Sequence, residues 1–470
     1  MCHLRFCYPP LEHSQYFSLR YGLALGFVAE KEKDDRLLLT AVGQINHGGL
    51  QAVIDGEQAV VVANLNLDAG KIAMDMSDFF AAHSFFDHGI WFLGRGHWNN
   101  HYDLSLELFN LAGKCALLNA DHDILKLHTE QVMHNAKCFE DKCQAISNTI
   151  TLLTWSGNVA KAIELINSAL TNLGEDIPMI LRPADIKHNL NNTKSQLARL
   201  SDDVLLNYTV MENPSKILVL ELLLKYFQIL PVVGERTAIM PIIPLKVIQI
   251  SLIYGMSPLS PVGFALYGNF LALVGYEFAE GYRYVKLALS LMKKLRSRAY
   301  DGSIMFHSNY TRLHVEPMQS AIDFYLDAYV ASMKSGNPYA IGCSYVYNTF
   351  CFWSGKELNA VILSMNALIK ESKIQKNLIV LTLMMPTLRM ALRLMSQSSA
   401  PQLDKPCEED EITKKHLLSL RQVYFVRLTE ALIFREFDEA REVIDKYSLV
   451  GESASCHFSV TTTPRFFMRL

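Results

Sequence analysis

His97 and His101 stand four residues apart, a spacing that places two imidazoles on one face of a helix where they could share a divalent metal. Their surroundings, GRGHWNN (94–100), read as a loop, and no carboxylate at a fixed spacing offers a third ligand. His83 and His88 are five apart, as are Cys138 and Cys143, and side chains so spaced diverge on a helix. Cys2 and Cys7 lie in an irregular start, and no second closely spaced cysteine pair completes a zinc cluster. The expectation is no metal site.

Other chemistry is sought and not found. A phosphate loop needs GxxxxGK followed by Ser or Thr, so that backbone amides and a lysine surround the phosphates. Here Gly113-Lys114 is followed by Cys115, inside a helical run. No kinase loop, Gly-x-Ser-x-Gly elbow or HExxH helix occurs. The chain is therefore expected to have no catalytic residues, to hold no cofactor or nucleotide, and not to be an enzyme. A short basic run (Lys293, Lys294, Arg296, Arg298) suits the end of a helix, with a phosphate or acidic-partner patch as the sharper alternative. The aromatic clusters FFAAHSFF, YNTFCFW and RFFMRL read as core at helical spacing.

The elements carrying these residues show themselves best in GNVAKAIELINSALTNLGEDIP (157–178). Gly157-Asn158 can start a helix and offer an N-cap oxygen, Gly174 suits a left-handed stop, and Pro178 prevents continuation. Ala162, Ile163, Ile166, Ala169, Leu170 and Leu173 fall on one face. The small–bulky–small spacing of Ala162, Ile166 and Ala169 lets a neighbouring helix approach closely. It recurs at Ala82/Phe86/Gly89, Gly281/Val285/Ala288, Ala321/Tyr325/Ala328, Ala360/Ser364/Ala367 and Ala440/Ile444/Tyr447, and more weakly at Leu125/Thr129/Val132. The intervals are about 40 residues or multiples of it, the period of stacked two-helix units. Ala69-Gly70 and Ala112-Gly113 precede two of these anchors on the partner helices.

With these segments in hand, the chain resembles the tetratricopeptide class of helical repeats. In particular it is similar to the helical region of large AAA/STAND-type signalling NTPases, predicted ATPases linked to kinase, histidine kinase or cyclase domains. The residues that carry the resemblance are NLNLDAGKIAMDMSDFFAAHSFFDHGIWFL (64–93), HYDLSLELFNLAGKCALL (101–118) and LINSALTNLGEDIP (165–178). LIYGMSPLSPVGFALYGNFLALVG (252–275) and FCFWSGKELNAV (350–361) continue it. The NTPase domain itself is missing, so its hydrolysis does not carry over. In that family helices continue past this point, which leaves the chain readable as one piece of a longer protein.

The expected architecture is all-α: a helical-hairpin, tetratricopeptide-like repeat solenoid of period about 40 residues in two sub-arrays. Residues 1–56 form a helical entry (short helices 16–30 and 36–46), 57–178 the first repeats, 179–245 an irregular bend, and 246–395 a second array. Residues 396–410 form a loop, and 411–470 a terminal helical pair and tail. Residues 247–276 carry no charge until Glu277, but Ser257-Pro258-Leu259-Ser260-Pro261 divides them into two buried helices rather than one membrane span. A net charge of −3 gives no field for nucleic acid. The nine cysteines read as free thiols in a reducing, cytoplasmic setting.

Asn64, Lys71, Glu107, Asn110 and Lys114 point away from the packing seams of the first two units. Amides suit a peptide backbone and ammonium groups a carboxylate, so these five are the candidate groove for a protein or peptide partner. The function expected is a non-enzymatic interaction or regulatory module of signalling-NTPase type. The alternatives are a small-molecule sensor using the irregular middle, or a fragment of an ATPase or kinase whose catalytic domains lie outside this chain.

Overall fold

The computed structural model describes residues 11–49, 56–177, 182–233, 239–273, 275–295, 298–335, 339–374, 378–395 and 417–453. They form 22 α-helices and, among the described residues, no strand beyond one isolated bridge between Val210 and Met256. The all-α array of helical hairpins expected from the seams is what the chain builds. The chain divides into two units, Met1–Asn148 and Thr149–Leu470.

In the first unit, α1 (Leu11–Glu32) and α2 (Asp35–Gly48) pack as a hairpin, both longer than the short helices expected there. Then come α3 (Gly56–Asp75) with α4 (Phe79–Leu93), and α6 (Tyr102–Leu118) with α7 (His122–Asn135). The GRGHWNN stretch is not wholly loop: it holds one helical turn, α5 (His97–Asn100), entered at Gly96 with φ +82°. The helix α8 (Phe139–Trp155) spans the end of this unit and the start of the next.

The second unit continues with α9 (Val159–Asn172), α10 (Pro183–Leu197), α11 (Asp202–Leu206), α12 (Pro214–Val233), α13 (Ile242–Tyr254) and α14 (Ser260–Leu273). It closes with α15 (Phe278–Leu295), α16 (Arg298–Arg312), α17 (Met318–Ser335), α18 (Tyr339–Trp353), α19 (Leu358–Ile374), α20 (Leu378–Leu394), α21 (Leu417–Ile433) and α22 (Phe437–Ser453). The uncharged run is indeed two helices, α13 and α14, both largely buried. Among the described residues no helix is long and apolar enough to cross a membrane.

One turn recurs between paired helices. Asp78 donates its backbone N–H to Ala73 O, Asp121 to Ala116 O, Asn158 to Leu153 O, Lys356 to Cys351 O and Glu436 to Ala431 O, at 2.8–3.1 Å. The residue before each has a positive φ: Ser77 (64°), Ala120 (59°), Gly157 (76°), Gly355 (77°) and Arg435 (60°). This six-to-one closure consumes orphan carbonyls of the first helix and reverses the chain into the second. Asp78 and Asp121 then cap the second helix, accepting from Ala81 N at 2.9 Å and Ile124 N at 3.2 Å. Asn158 occupies the same place without a side-chain cap bond, contrary to the sequence expectation.

The expected seams hold where small and bulky residues alternate. Ala82, Phe86, Ala162, Ile166, Val285, Ala288, Ala321, Tyr325 and Ala328 are buried, each at most 1% exposed. Gly70 lies against the Phe86 ring so closely that a Cβ there would stand 2.2 Å from it. On α19 the seam is one residue out of phase: Val361, Met365 and Leu368 are buried, whereas Ala360 and Ala367 face outward. Two triples of equal spacing compete there, and the bulkier one enters the core because it removes more apolar area from water. On α22, Ala440 packs with Val443, and Ile444 is exposed; the Tyr447 side chain lies outside the described residues. The loop 396–410, most of the tail (454–470), Arg296, Cys2 and Cys7 also lie outside them. Cys115, Cys143, Cys343 and Cys351 are buried free thiols, but Cys138 is exposed.

Candidate functional site

The first helices of the second and third hairpins, α3 and α6, carry all five expected groove residues. Their inward sides are filled by Val62, Ala63, Leu67 and Ala69 on α3, and by Leu108, Ala112 and Cys115 on α6. That burial turns Asn64 and Lys71 outward, with Glu107 exposed and Asn110 and Lys114 half-buried.

Lys71 and Glu107 meet across the hairpins at 2.7 Å, each about half exposed. Asp68, one turn before Lys71, joins them: burial pushes its carboxyl above the usual range, Lys71 opposes this, and Glu107 and Glu30 reinforce it. Asn64 does not join this group, its Nδ2 donating to Val60 O of its own helix at 2.8 Å. Asn110 buries its Oδ1 without a hydrogen-bond partner. Among the described residues Lys114 has no ion-pair partner, whereas Lys71 is already engaged.

Sequence reasoning missed Asp68, one turn before Lys71 on α3, and Glu30 of α1, whose charge acts on Asp68. It also missed a cluster on α4 and α7, where His83, Asp87 and His128 bring one possible ligand atom each to within 4.8 Å of one another. The signal present was His83–Asp87 at a four-residue step, whereas the step weighed was that of His83 and His88. The His97/His101 pair gains no third ligand among the described residues. His97 Nδ1 instead lies 2.9 Å from Ser105 Oγ, and its ring stacks on Phe109 at 5.6 Å. Of the basic run, Lys294 donates to Asn207 Oδ1 at 2.7 Å.

No family model matches the chain, and no curated protein matches it. Among solved structures, the chain is similar to a Rap protein complexed with competence and sporulation factor, at 10% identity and TM-score 0.49, over 85% of this chain and 99% of that one. It is also similar to the APC/C hetero-tetramer Cut9-Hcn1, at 11% identity and TM-score 0.34, over 94% and 87%. Neither score reaches 0.5, and the functional reading rests on this chain's own residues.

Proposed function

We propose that this helical-repeat protein is a non-enzymatic interaction module that holds an extended segment of a partner protein or peptide along α3 and α6. The observation that supports it is Lys114, a half-buried cation of α6 with no ion-pair partner among the described residues. An ammonium without a partner is ready for a carboxylate, so a peptide carrying one satisfies it. At the α3 end the demand reverses. Lys71 is neutralised by Glu107, and Asp68 and Glu30 add negative charge, so a basic partner residue fits there. Such a module suits the regulatory repeat region of a signalling protein of the NTPase type, the setting that the sequence resemblance implies.

The test is capture of partners from native extract by the wild type, Lys114→Glu and Lys71→Ala, with circular dichroism confirming that each is folded. Lys114→Glu should lose the partner, Lys71→Ala should lose little, and higher salt should weaken capture by screening. Equal capture by all three proteins would remove α3 and α6 as the binding surface.

A small-molecule sensor is the second reading, and its best support is a hollow of 270 Å³ lined by residues such as Leu326, Tyr329, Ser344 and Tyr347. It lies in α17–α19, not in the irregular middle, and it is smaller than the roughly 300–1,000 Å³ of ordinary ligand pockets.

A further inference from the structure

The cluster on α4 and α7 is independent of the groove. Burial of Ala82 and Phe86 on one side of α4 sets His83 and Asp87 one turn apart on the next. On α7, the buried Leu125 and Val132 bracket His128. The registers of the two helices are fixed by their aspartate caps, Asp78 and Asp121. Gly113 of α6 clears space beside His128, and the Phe109 ring meets the His128 imidazole edge-on at 5.5 Å. The result is that His83 and His128 are only 19% and 11% exposed, while Asp87 opens to solvent at 44%.

His83 Nδ1 lies 3.4 Å from Asp87 Oδ2, and His128 Nε2 lies 3.3 Å from Asp87 Oδ1. The two rings stand 5.7 Å apart. Among the described residues Nε2 of each imidazole is shut off from water without a hydrogen-bond partner; that of His128 faces Asp87, whereas His83 turns Nδ1 toward it. Buried polar atoms of this kind are normally satisfied, and a ligand seated between His128 Nε2, His83 Nδ1 and the carboxylate would satisfy the His128 nitrogen. Ligand atoms about 2.0–2.1 Å from a tetrahedral zinc stand roughly 3.3 Å from one another; each imidazole already keeps that distance from a carboxylate oxygen, and all three ligand atoms lie within 4.8 Å.

We infer that His83, Asp87 and His128 form a binding site for a divalent transition-metal ion, zinc first. Two imidazoles and one carboxylate are borderline donors that suit zinc or cobalt and are too few and too soft for calcium or magnesium. The ion joins the second helices of two successive hairpins. Its fourth position faces the solvent beside Asp87, where water or a partner's side chain completes the tetrahedron.

The experiment uses the full chain, stripped with a chelator and dialysed, and titrates it with Zn²⁺, Co²⁺, Mg²⁺ and Ca²⁺. Zinc should raise Tm by a few degrees, because the metal binds the folded form alone. Cobalt should give the visible bands of a four-coordinate nitrogen–oxygen site, and magnesium and calcium should change neither. Asp87→Asn and His128→Gln should each take up one metal equivalent fewer than the wild type and lose the Tm rise, whereas His134→Gln on the same helix should behave as the wild type. Metal-free melting of each variant separates lost binding from lost folding, and the cobalt spectrum of the wild type reports on the site even if His128→Gln fails to fold. If the folded wild type takes up no metal, or if Asp87→Asn takes up as much with the same Tm rise, the three residues are an ion cluster and not a metal site.

Discussion

The helix α6 of the N-terminal hairpins and the helix α14 of the central pair are both assembled from closely fitted small residues, yet they end in opposite environments. α6 buries Leu108, Ala112 and Cys115 and keeps Glu107 in water. In α14 every residue from Ser260 to Ala272 is buried, with α13, α15 and α16 packed around it. Its Gly268 meets Gly281 of α15 so closely that a Cβ on either would stand 2.5 Å from the other's carbonyl oxygen. Its Asn269 donates to His307 O at 2.8 Å and accepts from Thr311 Oγ1 at 2.7 Å. Each helix also holds one buried polar atom without a partner among the described residues, Asn110 Oδ1 on α6 and the Tyr267 hydroxyl on α14, so what separates them is exposure alone. A helix closed on all sides supports the fold, and a helix with one open side can meet a partner.

The contrast can be broken most forcefully with acid. Burial holds His307 down to a pKa of about 3, whereas an exposed histidine titrates near 6.5. A depressed pKa means that the folded state resists the proton that the unfolded chain accepts. The stability associated with His307 is therefore complete above about pH 6.5 and is lost as the pH falls toward 3, by up to about 1.4 kcal/mol per pH unit. Urea midpoints measured across that window should fall, and His307→Leu should flatten the slope. An unchanged slope would place the acid sensitivity elsewhere.

The next largest effect compares two glycines in similar helix–helix settings. Gly281→Ala drives a methyl into the Gly268 backbone and should cost roughly 1–3 kcal/mol. Gly113→Ala finds its nearest neighbour, His128 Cβ, at an ordinary 3.6 Å, and should be neutral or stabilising by up to about 1 kcal/mol through helix propensity. Thermal melts that rank the two in the opposite order would undo the distinction between closed and open helices.

Smallest of all is the Lys71–Glu107 pair. Exposed on both sides, it should show a coupling below about 1 kcal/mol in a double-mutant cycle, fading with salt. A larger, salt-resistant coupling would make the face a structural element instead of a binding one.

Much of the scaffold is legible in the chain because its determinants are local. The small–bulky–small triples at Ala82, Gly281 and Ala321 read correctly. So did Gly174 as a left-handed stop, with φ +76° and the Glu175 N–H donating to Leu170 O at 2.9 Å. The turn residues were equally available, since Ser77-Asp78, Ala120-Asp121 and Gly157-Asn158 carry the same closure. The α19 seam was misphased because a one-residue shift rotates a helix face by only about 100°, and both triples were apolar enough to fit. The exposed groove residues follow from the buried ones, but their pairing does not: Lys71 reaches Glu107 on the next hairpin.

Helix content, hairpin period and the turns between helices were thus determined by the sequence alone. Each depends on hydrogen bonds and side-chain contacts among residues a few positions apart. Tertiary structure decided which charges neutralise one another, that Lys114 has no ion-pair partner among the described residues, that α14 loses every open face, and that His128 arrives beside His83 and Asp87. Those outcomes depend on where helices some tens of residues apart cross. Nothing local in the chain encodes a crossing, because it is set by the summed packing of every side chain between them.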